Sequence, residues 1–345
     1  MMSSSTANAT SAASRPTVKD KNPLLGYGAL FLAIALLPAL GVYPIFVMKV
    51  LCFALFACAF NLLIGFTGLL SFGHAAFLGM AAYATGHALK VWGLPAPLGL
   101  IVGAVAAGGV GLVFGLLAIR RTGIYFSMIT LALSQMLYFV FLQAPFTGGE
   151  DGLQSVPRGT FFGLNLENDL TLYYVVLAIF IAAFWLIYRT VNSPFGQVLT
   201  SIRENEARAT SLGYDVDKFK LLAFVLSATL AGLAGATKTL VLGFATLTDA
   251  LWTTSGAVIL MTLVGGMGTL IGPMVGALII IALENKIGDL GKALAELTGV
   301  AWFNGLGESV SLVTGLIFIV CVLAFRRGVV GEALALWERR GGGKH

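Results

Sequence analysis

The residues with chemistry to offer are few and scattered. Asn61, Ser71, His74, His87, Gln135 and Lys238 stand inside long apolar runs, and no Asp or Glu occurs between residues 21 and 149. Ion-coupled carriers use carboxylates at membrane depth to relay protons or hold cations, so this scarcity argues against an ion gradient as the energy source. A histidine such as His74 either relays a proton or sits hydrogen-bonded in the core. A phosphate-binding loop needs Gly-x-x-x-x-Gly-Lys-Ser/Thr. The nearest approach runs from Gly232 to Thr239, where Thr237 replaces the second glycine inside an apolar run. The chain is therefore not expected to be an enzyme, and any ATPase is a separate chain. Cys52, Cys58 and Cys321 all lie in apolar runs without ligand spacing, so they read as packing residues, with no metal and no cofactor expected.

Composition sets the elements that must hold these residues. The 345 residues are 58% hydrophobic and only 11% charged, against about 25% charged in a soluble domain. The solvent that fits this surface is lipid. The apolar runs are longer and more continuous than the roughly ten-residue alternating strands of a barrel. The fold class expected is an all-α integral membrane protein, a polytopic helical bundle. Segments 1–24, 143–171, 189–217, 286–307 and 326–345 read as non-spanning, and the rest accommodates about ten crossings of roughly 20 residues. The net charge of +5 is no nucleic-acid signal, because basic residues also orient membrane helices. Residues 1–24 are rich in Ser, Thr and Ala and read as a disordered tail rather than a cleaved signal peptide.

Basic clusters in short loops mark the cytoplasmic side. Arg120–Arg121 form one, Arg189, Arg203, Arg208, Lys218 and Lys220 a second, and Arg326, Arg327, Arg339, Arg340 and Lys344 a third. The 143–171 loop holds Glu150, Asp151, Glu167 and Asp169 against Arg158 and should face outward. Parity then puts both termini inside, with crossings near 26–47, 48–64, 67–89, 95–119, 122–142, 172–188, 218–242 and 308–325. The stretch 254–285 is broken by Gly265-Gly266-Met267-Gly268 and Gly272-Pro273. It reads as two helices turning near the inner face, or alternatively as a re-entrant hairpin. The expected domains are a cytoplasmic tail at 1–24, a transmembrane domain at 25–331 and a cytoplasmic tail at 332–345.

Two segments carry mechanism. In 189–217, Ser193 suits an N-cap, Pro194 a first turn and Gly213 a helix stop. Phe195, Val198, Leu199, Ile202, Ala209 and Leu212 recur on one side of the helix so defined, with Arg203, Glu204, Asn205, Glu206 and Arg208 over much of the rest. Such a helix lies on the membrane interface or docks on a soluble partner. The second segment, Gly65 to His74, is broken by Gly65, Gly68 and Gly73. Its glycines either line a cavity or allow close helix packing. Gly265, Gly268 and Leu270 repeat the spacing of Gly65, Gly68 and Leu70, as an internal repeat would.

Six motifs in order resemble the permeases of branched-chain amino-acid ABC importers, specifically their longer, M-type subunit. They are Gly65–Tyr83, Arg121–Phe126, Thr147–Leu153, Ser193–Gly213, Lys220–Gly235 and Gly265–Ala277. Urea permeases of the same superfamily share much of this pattern. The resemblance implies a second permease subunit in a heterodimer, two ATPase subunits, a periplasmic substrate-binding protein and residence in the inner membrane. It makes 194–212 a coupling helix, with Arg203, Glu204, Asn205, Glu206 and Arg208 facing the ATPase. Glu206-Ala207-Arg208 and Gly213 depart from the Glu-Ala-Ala coupling loop of many importers, so the contacts of that loop do not transfer. Glu150 and Asp151 are the expected docking residues for the binding protein. Asn61, Thr67, Ser71, His74, Tyr125, Ser127 and Thr130 are the expected pathway lining. A stand-alone secondary transporter and a channel are the rival readings.

Overall fold

A computed structural model describes residues 23–298, 315–316, 319 and 328–332. The expected last crossing, the third basic cluster and Cys321 lie largely or wholly outside these. The described chain is mostly helical. Among the described residues five helices are long and apolar enough to cross a membrane: α2 (Pro44–Phe66), α4 (Ala96–Ala118), α5 (Ile124–Gln143), α6 (Asp169–Val191) and α9 (Val216–Leu242). Shorter apolar helices accompany them: α1 (Pro23–Leu36), α3 (His74–Lys90) and α10 (Trp252–Gly265). The first interruption falls at Gly41–Tyr43, ahead of the expected boundary near 47, because Pro44 starts α2. The helix α11 runs from Gly272 to Thr298, well into the segment expected to be non-spanning from 286.

The chain shuttles between two ends. At one end lie the short helices α7 (Pro194–Glu204) and α8 (Glu206–Ser211), next to the start of α9. At the other end, strands β1 (Thr160–Phe161) and β2 (Leu164–Asn165) form a small hairpin inside the acidic loop. There Leu153 pairs with Ala245 just beyond α9. The 27 residues of α9 separate the two ends by about 40 Å at 1.5 Å per residue. Helix α1 is antiparallel to α6. Tyr27 lies edge-on to Tyr188 beside the α7 end, whereas the Tyr173 hydroxyl donates to the Ile34 carbonyl at 2.5 Å near the hairpin end.

Helix α2 is the most enclosed of the five spans and α5 the least. In lipid, helices gain little from apolar burial and associate through close backbone approach. That is how α9 is held against α3 and α4. Gly232 backs onto Ala107, and Gly235 onto the backbone of Leu78, leaving no room for a Cβ at either position. Expected inward positions of the 194–212 segment divide accordingly. Leu199, Ile202 and Ala209 are buried, Phe195 stacks on Phe219 at 5.6 Å, and Leu212 is exposed.

Candidate functional site

The two glycine-broken segments abut. Gly65, in the last turn of α2, lies so close to Gly268 that a Cβ on it would fall 2.8 Å from the Gly268 nitrogen. Gly68 and Gly268 share one backbone conformation, with φ of 79° and 74°, a left-handed region that only glycine enters at little cost. Asn61 joins the segments. Its Nδ2 donates to the Thr269 carbonyl at 2.8 Å, and its Oδ1 accepts from the Gly268 amide at 2.9 Å. Both ends of the amide are thus engaged with loop groups that the helices leave unpaired.

Helix α5 secures the first break from the other side. Ser127 Oγ donates to the Leu70 carbonyl at 2.6 Å, and Thr130 Oγ1 accepts from the Phe72 amide at 3.3 Å while donating to the Ser127 carbonyl at 2.9 Å. Ser71 Oγ accepts from the Gly73 amide at 3.2 Å, and Thr67 Oγ1 donates to the Leu62 carbonyl at 3.3 Å. His74 opens α3 and is fully buried among Phe60, Phe77 and Phe224. Its Nε2 lies 2.8 Å from Ser227 Oγ, whose proton goes to the Ala59 carbonyl at 2.6 Å. The serine must then accept from Nε2, so the proton sits on Nε2. Nδ1 has no partner among the described residues.

Six of the seven expected lining residues therefore converge on the first break and its helix neighbours, all buried. Tyr125 does not join them; it is exposed on the first turn of α5. All six are hydrogen-bonded to groups of the protein itself.

The expected single helix between Ser193 and Gly213 is two. Asn205 adopts an extended conformation (φ −158°, ψ 99°), and its Oδ1 accepts from the Arg208 amide at 3.0 Å, capping α8. The sequence held that signal, since asparagine side chains favour caps over helix interiors. Arg203 does not run along the helix surface. Its stem lies on Gly68, its guanidinium donates to the Gly65 carbonyl, and Gly268 is in contact with it. Glu206 pairs with Lys220 of α9 at 2.6 Å, the lysine buried and the glutamate half-exposed. Glu204 and Arg208 are exposed. Gly328 lies against Gly266, so the 328–332 segment meets the second break at this same end.

At the hairpin end, Glu150 and Asp151 occupy an exposed 3-10 turn, Gly149–Asp151. The cap around them is tied to the bundle. Val156 donates to the Gly243 carbonyl at 2.8 Å, Lys90 Nζ to the Gln154 carbonyl at 2.7 Å, and Arg158 pairs with Asp169 at 2.7 Å. Lys238 does not reach for the surface. It forms a buried ion pair with Asp249 of the 3-10 turn Leu247–Ala250. No hydropathy signal points to that pair, because its members lie on different elements.

The sequence profile of a family described as branched-chain amino acid transport system / permease component matches residues 44–325. The chain belongs to this permease family. Among curated relatives, the permease is 24% identical over 300 residues to the high-affinity branched-chain amino acid transport system permease protein LivM of Escherichia coli (strain K12), covering 80% of this chain and 70% of that protein. It is 30% identical over 206 residues to the autoinducer 2 import system permease protein LsrC of Klebsiella pneumoniae, covering 56% of this chain and 53% of that one. The ribose import permease protein RbsC of Bacillus subtilis is 29% identical over 214 residues, 58% of each chain. Among solved structures, PsaBC from Streptococcus pneumoniae in complex with Fab aligns with a TM-score of 0.40 at 15% identity, over 85% of this chain and 95% of that one. Family and spans together make this permease a multi-pass membrane protein.

Proposed function

We propose that this permease is the M-type subunit of an ATP-driven importer of branched-chain amino acids in the cell inner membrane. It pairs with a second permease and two ATPase subunits and takes its cargo from a periplasmic binding protein. The observation that carries the reading is the junction at which Arg203 of α7 meets Gly65, in the last turn before the first helix break, and Gly268, within the second. Helix α7 lies outside the bundle and is linked directly to the two places where the bundle backbone is interrupted, as a coupling element has to be. In this reading the α7 end is cytoplasmic. Glu204, Asn205, Glu206 and Arg208 present the docking surface for the ATPase, and Arg203 transmits the push inward as rigid-body motion. The placement of Tyr188 beside Tyr27 and of Gly266 beside Gly328 supports having both termini at that end, and hence an even number of crossings, ten in this reading.

In the same reading the opposite end is periplasmic, and Glu150 and Asp151 receive the binding protein. Asn61, Thr67, Ser71, His74, Ser127 and Thr130 form the inner gate, and Tyr125 faces the second permease. The domain limits follow, with tails at 1–24 and 332–345 around a permease domain at 25–331. A permease for another small solute, urea or a sugar, is the second reading, favoured by the ribose permease among the relatives. An ion-coupled carrier working alone is the third.

Detergent purification from the native host with mass spectrometry of co-purifying chains tests the machine. A second permease and two ATPases should be recovered. Isolation of a homo-oligomer that transports on an ion gradient refutes it. Uptake of radiolabelled leucine, urea and ribose by the reconstituted assembly then decides the cargo.

A further inference from the structure

Lys238 stands four residues before the end of α9 at Leu242, beneath the cap made by Leu153 and Ala245. Its ammonium pairs with Asp249 Oδ1, the side chains being 9% and 6% exposed, and Asp249 Oδ2 accepts from the Thr246 amide at 3.3 Å. Ionisable groups within a membrane bundle are costly and commonly mark substrate or ion paths. A second observation points the same way. Tyr83 of α3 is buried, its hydroxyl has no partner among the described residues, and it lies within electrostatic reach of Asp249. One turn earlier on the same helix, Gly79 backs onto Ala250, the neighbour of Asp249. The Tyr83 ring meets Phe141 at 4.8 Å, within a small apolar cluster that includes Ala245, Leu247 and Ala250 and stands apart from the main core.

We infer that Lys238, Asp249 and Tyr83 form a closed-up binding site for a zwitterionic amino acid with an apolar side chain. The substrate carboxylate takes Lys238, its ammonium takes Asp249 and the Tyr83 oxygen, and its side chain enters the Phe141–Leu247 cluster. Opening one ion pair to form two leaves no charge unpaired, which is the condition for desolvating a zwitterion. A neutral sugar offers neither charge and would leave the opened pair unsatisfied. The site lies under the Glu150–Asp151 turn, where the proposed function has cargo delivered, and it rests on the amino-acid reading given there.

The test uses the complete importer with its binding protein in proteoliposomes, measuring leucine uptake and binding-protein-stimulated ATP hydrolysis. Tyr83→Phe removes an unpaired hydroxyl, so the variant should assemble with unchanged or higher thermal stability. Its leucine uptake should nevertheless fall about tenfold, as loss of a hydrogen bond to a charged substrate group requires. Lys238→Met with Asp249→Leu should keep stimulated ATP hydrolysis and lose leucine uptake. Wild-type uptake by that double variant, or by Tyr83→Phe should the double variant fail to assemble, overturns the site and leaves the pair a structural pin. If the unmodified importer takes up ribose or urea and no amino acid, the proposed cargo fails before any variant is read.

Discussion

Arg203 donates to the carbonyl of Gly65, joining a helix outside the bundle to the last turn of the most enclosed span. A hydrogen bond from a charged donor contributes about 1.5–3 kcal/mol. Arg203→Ala should therefore uncouple the two elements, cutting ATP-driven uptake about tenfold or more while the ATPase subunits still co-purify. Arg203→Lys keeps the charge and loses the planar fork, so it should recover only part of the uptake. Loss of the ATPases from purified Arg203→Ala would instead make Arg203 a direct docking residue. The measurement is co-purification together with uptake in proteoliposomes.

Asn61 satisfies one donor and one acceptor of the 266–271 loop at once. Asn61→Leu leaves both part-buried groups unpaired, at up to about 1–3 kcal/mol each. Asn61→Asp keeps the acceptor for Gly268 but sets a carboxylate oxygen against the Thr269 carbonyl, so it should destabilise as much. Thermal unfolding in detergent should show both variants several degrees below the parent, and a silent Asn61→Asp would contradict the bonding pattern.

Two glycines give opposite expectations for one methyl group. Gly65→Ala drives a Cβ into Asn61 and the Gly268 backbone, an overpacking cost of about 1–3 kcal/mol. Gly256, inside α10, has nothing within 4 Å of a Cβ, and Gly256→Ala should be neutral or stabilising by up to about 1 kcal/mol. Comparing melting temperatures of the two variants checks the contact between the breaks.

Asp215 caps α9, accepting from the Lys218 amide at 3.3 Å, and pairs with the Lys218 side chain at 2.7 Å. The hydrogen bond from Lys218 holds its carboxyl below the usual 3.8. A lowered pKa in the folded state means the cap is intact above the ordinary carboxylate range and is lost as pH falls below it. Hydrogen exchange in the first turn of α9 should be unchanged from pH 8 to 5. It should speed up relative to the rest of the helix only below about pH 4. Asp215→Ala should remove that pH dependence.

Much of the fold was legible because hydropathy reports the solvent, and lipid leaves long apolar runs little alternative to helices. The expected runs near 95–119, 122–142 and 218–242 correspond to α4, α5 and α9, and the stop between Gly265 and Gly272 separates α10 from α11. Less legible were places where a side chain competes with the backbone. Asn205 divides the amphipathic segment because its carbonyl oxygen caps α8 better than the helix interior would accommodate it. The helical spacing of Val198, Ile202 and Ala209 runs through that residue without marking it.

By itself the sequence determined that the chain is a helical membrane protein and that its apolar runs are interrupted at the glycine-rich segments 65–73 and 265–272. These follow from local forces, namely the transfer of runs of residues into lipid and the steric limits on φ. Only the tertiary structure decided that the breaks at Gly65 and Gly268 meet, that Asn61 bonds across 207 residues to Gly268, and that Lys238 finds Asp249. Those pairings depend on how closely helices approach, which is set by small residues such as Gly232 and Gly235 against specific neighbours. Nothing in a one-dimensional pattern of hydropathy names the neighbour.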